Sequence, residues 1–103
     1  MLIVTTESIP GKNIVPVGTV RGSVVRAKHI GRDIMAGFKT LVGGEIAGYT
    51  ELLNEAREIA TDRMIKEAQV VGADAIVCMR FVSSSVMDGA SEVMAYGTAV
   101  KFN

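Results

Sequence analysis

The sequence is poor in the residues that carry most metal and nucleophile chemistry. Its 103 residues include one cysteine, Cys78, one histidine, His29, and no tryptophan. Soft heavy metals are bound by clustered cysteine and histidine, and the chain has no CxxC and no HxxxH pair. Cys78 lies within an apolar run, which is typical of a small core residue, and His29 lies in a polar connection. Both are metal candidates only by their chemical type.

Charge of one sign is also lacking, because Lys+Arg and Asp+Glu are equal at 11 each. A chain without a basic excess is not expected to bind nucleic acid. No apolar run approaches the ~20 residues that span a bilayer, and Met1–Val4 is too short for a signal peptide. With its lone cysteine, the chain is expected to be cytoplasmic. Ser83–Ser85 is interpreted as a polar loop without a histidine partner, so we predict no catalytic residue.

What the chain does have is apolar surface, at 49% of its residues, enough for one domain over residues 1–103. Leu2–Thr6 and Val15–Ala27 are rich in strand-forming residues, and the breaker-rich Ile9–Asn13 separates them. We therefore predict an N-terminal hairpin. Gly18 and Gly22 indicate a bend or bulge in its second strand.

Two helices are predicted next. Asp33–Val42 shows helical spacing and is followed by Gly43-Gly44, which can stop a helix. A longer helix is predicted from Thr50, as its N-cap, to Val71, with Gly72 ending it. Its apolar face comprises Leu52, Leu53, Ala56, Ile59, Ala60, Met64 and Val71. Its opposite face carries Glu51, Glu55, Glu58 and Asp62, a ridge that is better explained as a solvated surface than as a cation site.

The last two strands, Ala75–Phe81 and Glu92–Val100, are predicted to pair antiparallel. The final strand has no polar face, since Val93, Ala95, Gly97 and Ala99 lie on one side and Met94, Tyr96, Val100 and Phe102 on the other. The expected fold is α+β, with an antiparallel four-stranded sheet, one short helix and one long helix. Two helices cannot cover both sides of this sheet, so we expect other copies of the chain to cover the rest.

Four charged residues stand among apolar neighbours. By helical angle Arg63 and Glu67 fall within the apolar face of the long helix, and a buried charge requires a partner. Arg80 is predicted to share a strand face with Ile76, Cys78 and Val82, and Glu92 opens the next strand. One hypothesis is a paired network of Arg63, Glu67, Arg80 and Glu92 at a subunit seam. The alternative is that Arg63 and Glu67 extend along the helix edge to solvent.

The glycine-rich segment 43–48 precedes the N-terminus of the long helix. Backbone amides at Gly44, near Tyr49, are candidates to bind an anion. The spacing is neither a P-loop nor GxGxxG, and a helix stop followed by a helix start explains these glycines more simply.

Several of these motifs occur together in one known family. The matching residues are Asp33, Gly43-Gly44-Glu45, Tyr49-Thr50, Ala56-Arg57, Gly72-Ala73, Arg80-Phe81, and Glu92 with Ala95 to Val100. In these the chain resembles the YbjQ-like family of small bacterial and archaeal proteins, which is labelled as putative heavy-metal-binding. The resemblance implies a dodecin-like subunit in a ring-like homopentamer. It also exposes one departure, because the family usually has glycine where this chain has Cys78, so the thiol is not expected to be a shared metal ligand.

The favoured function is therefore a non-enzymatic, homo-oligomeric binding protein, with a metal as the ligand that the resemblance suggests. One alternative is a ring that binds a small molecule or anion in pockets between subunits, near Gly44 and Tyr49. Another is an enzyme whose site is completed across the seam by Glu45, Tyr49, Arg57 or Arg80.

Overall fold

The computed structural model describes residues 1–27 and 48–103. In chain order the elements are β1 (Leu2–Ile3), β2 (Ile14–Ala27), α1 (Tyr49–Val70), β3 (Ala75–Met87) and β4 (Ala90–Phe102). The predicted short helix Asp33–Val42 and its stop at Gly43-Gly44 lie outside the described residues.

Helix α1 confirms the long helix to within one residue at each end. Its fully buried residues are Ala56, Ala60, Met64 and Ala68. Their spacing of four places them in one stripe, which is narrow because three of the four are alanines. The prediction that Val71 belongs to this face was wrong, since it lies beyond the helix and is 41% exposed.

The two ends of α1 are both closed by glycine. Thr50 is not the N-cap; Gly48 is, at φ 87°, and it offers no side-chain cap to the first turn. At the other end Gly72 has φ 74°, and its N–H donates to the Gln69 carbonyl at 3.0 Å. The Ala73 N–H donates to the Ala68 carbonyl at 3.0 Å. This pair of bonds forms a Schellman motif and confirms Gly72 as the residue that ends the helix.

The sheet is mixed rather than antiparallel, with strand order β1-β3-β4-β2. β1 runs parallel to β3, with Leu2 opposite Ala75, whereas β4 pairs antiparallel with both β2 and β3. The predicted N-terminal hairpin is therefore wrong. Residues 4–13 carry the chain from one edge of the sheet to the other, and β2 then runs in the same direction as β1, because β4 is antiparallel to both β3 and β2.

β3 and β4 extend further than predicted and form one long hairpin. Ser83–Ser85 belongs to β3, where it pairs with residues 91–93 of β4. The turn is at Asp88-Gly89, with Gly89 at φ 77°. The serines are exposed, so their polarity reflects contact with water and not a loop.

Helix α1 lies over β2 and β4 and meets β2 at a glycine. A Cβ on Gly22 would stand 2.3 Å from the Ala60 carbonyl oxygen and 2.3 Å from the Met64 nitrogen. Helix α1 therefore packs directly on the backbone at Gly22, and the bend or bulge that was predicted at this glycine is not observed. The bulge in β2 falls between Pro16 and Gly18, as the presence of Gly18 indicated.

A second bulge, between Val77 and Arg80, reverses which face of β3 its residues occupy. Cys78 lies inside this bulge at φ 55°, a conformation that L-residues rarely adopt. Because of the extra residue, Ile76 pairs with Ala99 on the helix side whereas Arg80 pairs with Tyr96 on the opposite side. The prediction that Arg80 and Ile76 share a face was wrong for this reason.

The N-terminal segment covers part of the sheet face that α1 leaves open. The Val4 N–H donates to the Ile76 carbonyl at 2.9 Å, and the Cys78 N–H donates to the Thr6 carbonyl at 3.0 Å. Beneath this segment the side chains of Ala75, Val77 and Val100 form a small second core. Val4, Ile9, Ile14 and Cys78 pack against it. The part of the chain that the structure describes therefore covers this face at one end of the sheet.

Candidate functional site

The rest of that face forms a surface that we call the open face. Residues opposite one another in an antiparallel pair share a face of the sheet. The register pairs Arg21 with Tyr96, Val25 with Glu92 and Val82 with Met94, all on the side away from α1. The open face comprises Arg21, Ser23, Val25, Arg80, Val82, Ser84, Glu92, Met94 and Tyr96.

Apolar side chains lie across this surface. Val25 is 56% exposed, Val82 47% and Tyr96 39%. Arg21 and Arg80 flank Tyr96, whereas Glu92 lies toward the hairpin tip. Exposed apolar groups with charged neighbours, and a tyrosine among them, are typical of protein interfaces. The prediction that the final strand avoids water on both sides holds on the helix side, where Ala95 and Ala99 are fully buried.

Arg80 is held by the backbone of its own chain. Its Nη1 donates to the Thr5 carbonyl at 3.0 Å and to the Met79 carbonyl at 2.8 Å. Glu92 is opposite Ser84, four residues along β3 from Arg80. At ~3.3 Å per residue this separation is about 13 Å along the strand, and Arg80 Nη1 is directed to the Thr5 carbonyl instead. Within one chain Arg80 and Glu92 do not meet, and a contact between copies stays a prediction.

Arg63 and Glu67 bind the outer edge of β2. Arg63 Nη1 donates to the Ser23 carbonyl at 2.7 Å, and the Arg21 N–H donates to Glu67 Oε1 at 3.3 Å. Both charged groups therefore have partners, and within residues 1–27 and 48–103 these partners are backbone atoms of one strand. This arrangement agrees with the alternative that placed both residues at the helix edge.

Tyr49 and Arg57 line different depressions. Tyr49 contributes to a cleft of 220 Å³ with Arg26, Leu52 and Ser91. In that cleft Arg26 Nη2 already pairs with Glu55 Oε1 at 2.9 Å. Arg57 borders a shallow groove of 370 Å³ that also contacts Phe81. The predicted candidates Gly44, Glu45 and His29 lie outside the described residues.

Metal ligands do not converge in the part of the chain that the structure describes. Over residues 1–27 and 48–103 no group of three or more His, Cys, Asp or Glu side chains could hold an ion. Cys78 is a free, partly buried thiol that packs against the second core. The carboxylate ridge on α1 lies at the surface, and Glu55 within it is bound to Arg26. The described side chains of a single subunit therefore do not supply a heavy-metal site.

The open face was only partly visible in the sequence. The strand Val15–Ala27 was predicted, but not which of its residues face away from the helix. In the structure Val20 and Val24 are buried and Val25 is exposed. Val82 was assigned to a strand, but the bulge before it concealed its face. Among the described helices none has the length and apolarity to cross a membrane.

These features define a small α+β protein with a mixed four-stranded sheet. Among residues 1–27 and 48–103 a helix covers one side of the sheet, and the other side is largely open. The chain belongs to the YbjQ family, whose model, described as "Putative heavy-metal-binding", matches residues 1–103.

Its relatives are similar over almost their whole length. A UPF0145 protein of Psychromonas ingrahamii is 62% identical over 98% of this chain and 97% of the relative. One of Thermotoga maritima is 59% identical, over 98% of this chain and 96% of the relative. A solved structure from Pediococcus pentosaceus, of the DUF74 family and unknown function, has a TM-score of 0.73 at 14% identity, covering 100% of this chain and 98% of that one. The structural likeness shows the fold alone.

Proposed function

We propose that this chain is a subunit of a closed homo-oligomer that serves as a non-enzymatic binding protein in the cytoplasm. The observation that carries the proposal is the open face, where Val25, Val82 and Tyr96 are exposed together on a sheet whose other side is packed by α1. A formal net charge of zero adds no long-range repulsion between copies. The family resemblance favours a ring of five copies, which heterologous contacts around a rotation axis would close.

The assembly is tested with two valine-to-lysine substitutions, one on the open face and one, as the control, at an exposed position away from it. Val25→Lys puts a charge on the open face, whereas Val70→Lys changes a valine that is 87% exposed at the end of α1. Native mass spectrometry and sedimentation velocity report copy number. We expect an oligomer for the unmodified protein and for Val70→Lys, and a smaller species for Val25→Lys. A monomer that persists in the unmodified protein at high concentration contradicts the proposal.

The ligand is a separate question, and the family description suggests a heavy metal. A ring contains one Cys78 per subunit, so a metal bound by thiolates would be shared by the Cys78 side chains of several subunits. Elemental analysis after gentle purification tests this suggestion. At least one metal ion per oligomer, lost in Cys78→Ser, supports it. Less than one metal ion per oligomer rejects the suggestion that the protein binds a metal. It favours the alternative of a small molecule or anion between subunits, which native mass spectrometry would detect as additional mass on the oligomer.

A further inference from the structure

The outer edge of β3 is unpaired over half its length among the described residues. β1 pairs with Ala75 and Ile76, and hydrogen bonds from the segment that follows it reach Met79. From Phe81 to Met87 the described part of the chain places no strand on that side.

The register identifies which backbone groups face outward. The Arg21 N–H points to the outer edge of β2, where Glu67 binds it. Its partner Tyr96 must then direct its backbone groups toward β3, where it pairs with Arg80. Backbone direction alternates along a strand. Phe81, Ser83 and Ser85 therefore present free N–H and C=O groups at the β3 edge, whereas those of Ser84 face β4.

The two edges of the sheet are treated differently. Natural sheets block exposed edges with charged side chains, prolines and bulges. On β2 the Arg63 and Glu67 side chains bind the edge, and Pro16 precedes a bulge. Along residues 81–85 of β3 there is no charged residue, no proline and no bulge, and Phe81 and Val82 are 46% and 47% exposed. The next bulge of this strand lies between Ser85 and Met87. An uncharged, unblocked edge of this length is suited to strand addition.

The sequence of this edge indicates its occupant. Residues 82–86 read Val-Ser-Ser-Ser-Val, which is the same in both directions around Ser84. Two antiparallel copies related by a two-fold axis place Ser84 opposite Ser84 and Ser83 opposite Ser85. They bring Val82 near Val86, which lies at the bulge between Ser85 and Met87. The outward-facing N–H and C=O groups of Ser83 in one copy then hydrogen-bond those of Ser85 in the other. The register that matches the side chains is therefore also the register that pairs the backbone groups.

We propose that β3 pairs with β3 of a second copy around Ser84, through residues 83–85 and the valines that flank them, joining two sheets into one across a two-fold axis. This contact is isologous, so it differs from the heterologous contacts of the proposed ring. A ring of five subunits with this additional contact has ten copies, and without ring contacts the protein is a dimer. The inference therefore does not depend on the ring.

Disulfide trapping tests the register. Opposite residues in a non-hydrogen-bonded antiparallel pair have Cα atoms ~4.5 Å apart, within the range for a disulfide. In a Cys78→Gly background, Ser84→Cys is expected to form covalent dimers with a mild oxidant. Ser83→Cys is the matched control, because its counterpart is offset by two residues and lies beyond the ~7 Å limit. Failure of Ser84→Cys to cross-link, or equal cross-linking by Ser83→Cys, would overturn the proposal.

Proline substitution and hydrogen exchange supply an independent readout. Ser83→Pro removes an outward N–H and leaves the pairing of β3 with β4, so it should halve the copy number while the fold is kept, by circular dichroism. The Ser83 and Ser85 amides should be protected in the unmodified assembly. An odd copy number such as five, with fast exchange at these amides, refutes the two-fold contact and leaves the ring intact. A dimer in the unmodified protein that Val25→Lys leaves unchanged refutes the ring and leaves the two-fold contact.

Discussion

The contact between α1 and Gly22 gives the sharpest prediction about stability. A Cβ at this position would lie 2.3 Å from two backbone atoms of the helix. Ordinary contacts of a Cβ begin near 3.4 Å, so α1 would have to move outward by about 1 Å. The obstruction is backbone, and no side-chain rotation can relieve it.

The expected loss follows from this displacement. A gap of ~0.5–1 Å removes a quarter to a half of the dispersion attraction between facing atoms. Ala56, Ala60 and Met64 would all be affected, because they are fully buried on that side of α1. Overpacking alone costs about 1–3 kcal/mol. With the lost contacts added, Gly22→Ala should destabilise the protein by about 3–5 kcal/mol, a large part of the ~5–15 kcal/mol typical of a domain.

Urea unfolding at a fixed protein concentration is the assay. With an m-value of about 1.5 kcal/mol/M, the midpoint should fall by roughly 2–3 M. Gly18→Ala is the matched control, because it lies in the same strand and a Cβ there meets nothing within 4 Å. We expect it to be neutral or to stabilise by up to ~1 kcal/mol, through the reduced freedom of the unfolded chain. Equal midpoints for the two variants would refute the claim that α1 rests on Gly22.

Two further predictions concern the bulge of β3 at Cys78 and the outer edge of β2, which Glu67 contacts. Cys78→Gly should raise the free energy of unfolding by about 1 kcal/mol, because φ 55° is strained for cysteine and not for glycine. Cys78→Val should lower the free energy of unfolding. Urea denaturation in which Cys78→Gly is less stable than the unmodified protein would contradict this reasoning. Glu67→Ala should accelerate hydrogen exchange at the Arg21 amide and cost about 0.5–1 kcal/mol, since it removes the acceptor at 3.3 Å. Lys66→Ala, one residue earlier on α1, should leave that amide unchanged, and similar exchange in both variants would show that the Glu67 contact does not protect the edge.

Local signals in the sequence predicted α1 well. The spacing of its alanines and Met64 gives the buried stripe, and Gly72 gives the end of the helix. The start was missed by one residue, because Thr50 has the side chain of a cap whereas Gly48 has the backbone freedom that this entry uses. Which residue serves as the N-cap depends on the direction from which the chain enters the helix. The composition of the helix does not give that direction.

Strand pairing was less accessible. The breakers at Ile9–Asn13 predicted that the chain turns, but a turn of several residues does not require its flanking strands to be neighbours. The partner of β1 is β3, more than seventy residues away along the chain. The bulge at Cys78 likewise exchanged the two faces of β3, and so a strict alternation rule assigned Arg80 to the wrong side.

The charged residues show the same limit. Helical angle correctly indicated that Arg63 and Glu67 require partners, but it could not supply their identity. Those partners are Ser23 and Arg21 backbone atoms, which any sequence would present equally. Recognition of this kind depends on tertiary position alone, and only the structure could reveal it.

The close seat of α1 on Gly22 also limits how this protein can vary. The backbone of α1 contacts the backbone of β2 at Gly22, so the distance between the helix and the sheet is set by backbone atoms, which no substitution removes. Larger residues in place of Ala56 or Ala60 would find no room, and smaller ones would bring the layers no nearer. Variation among related proteins should therefore be rare at Gly22, Ala56 and Ala60, where the backbone of α1 meets β2.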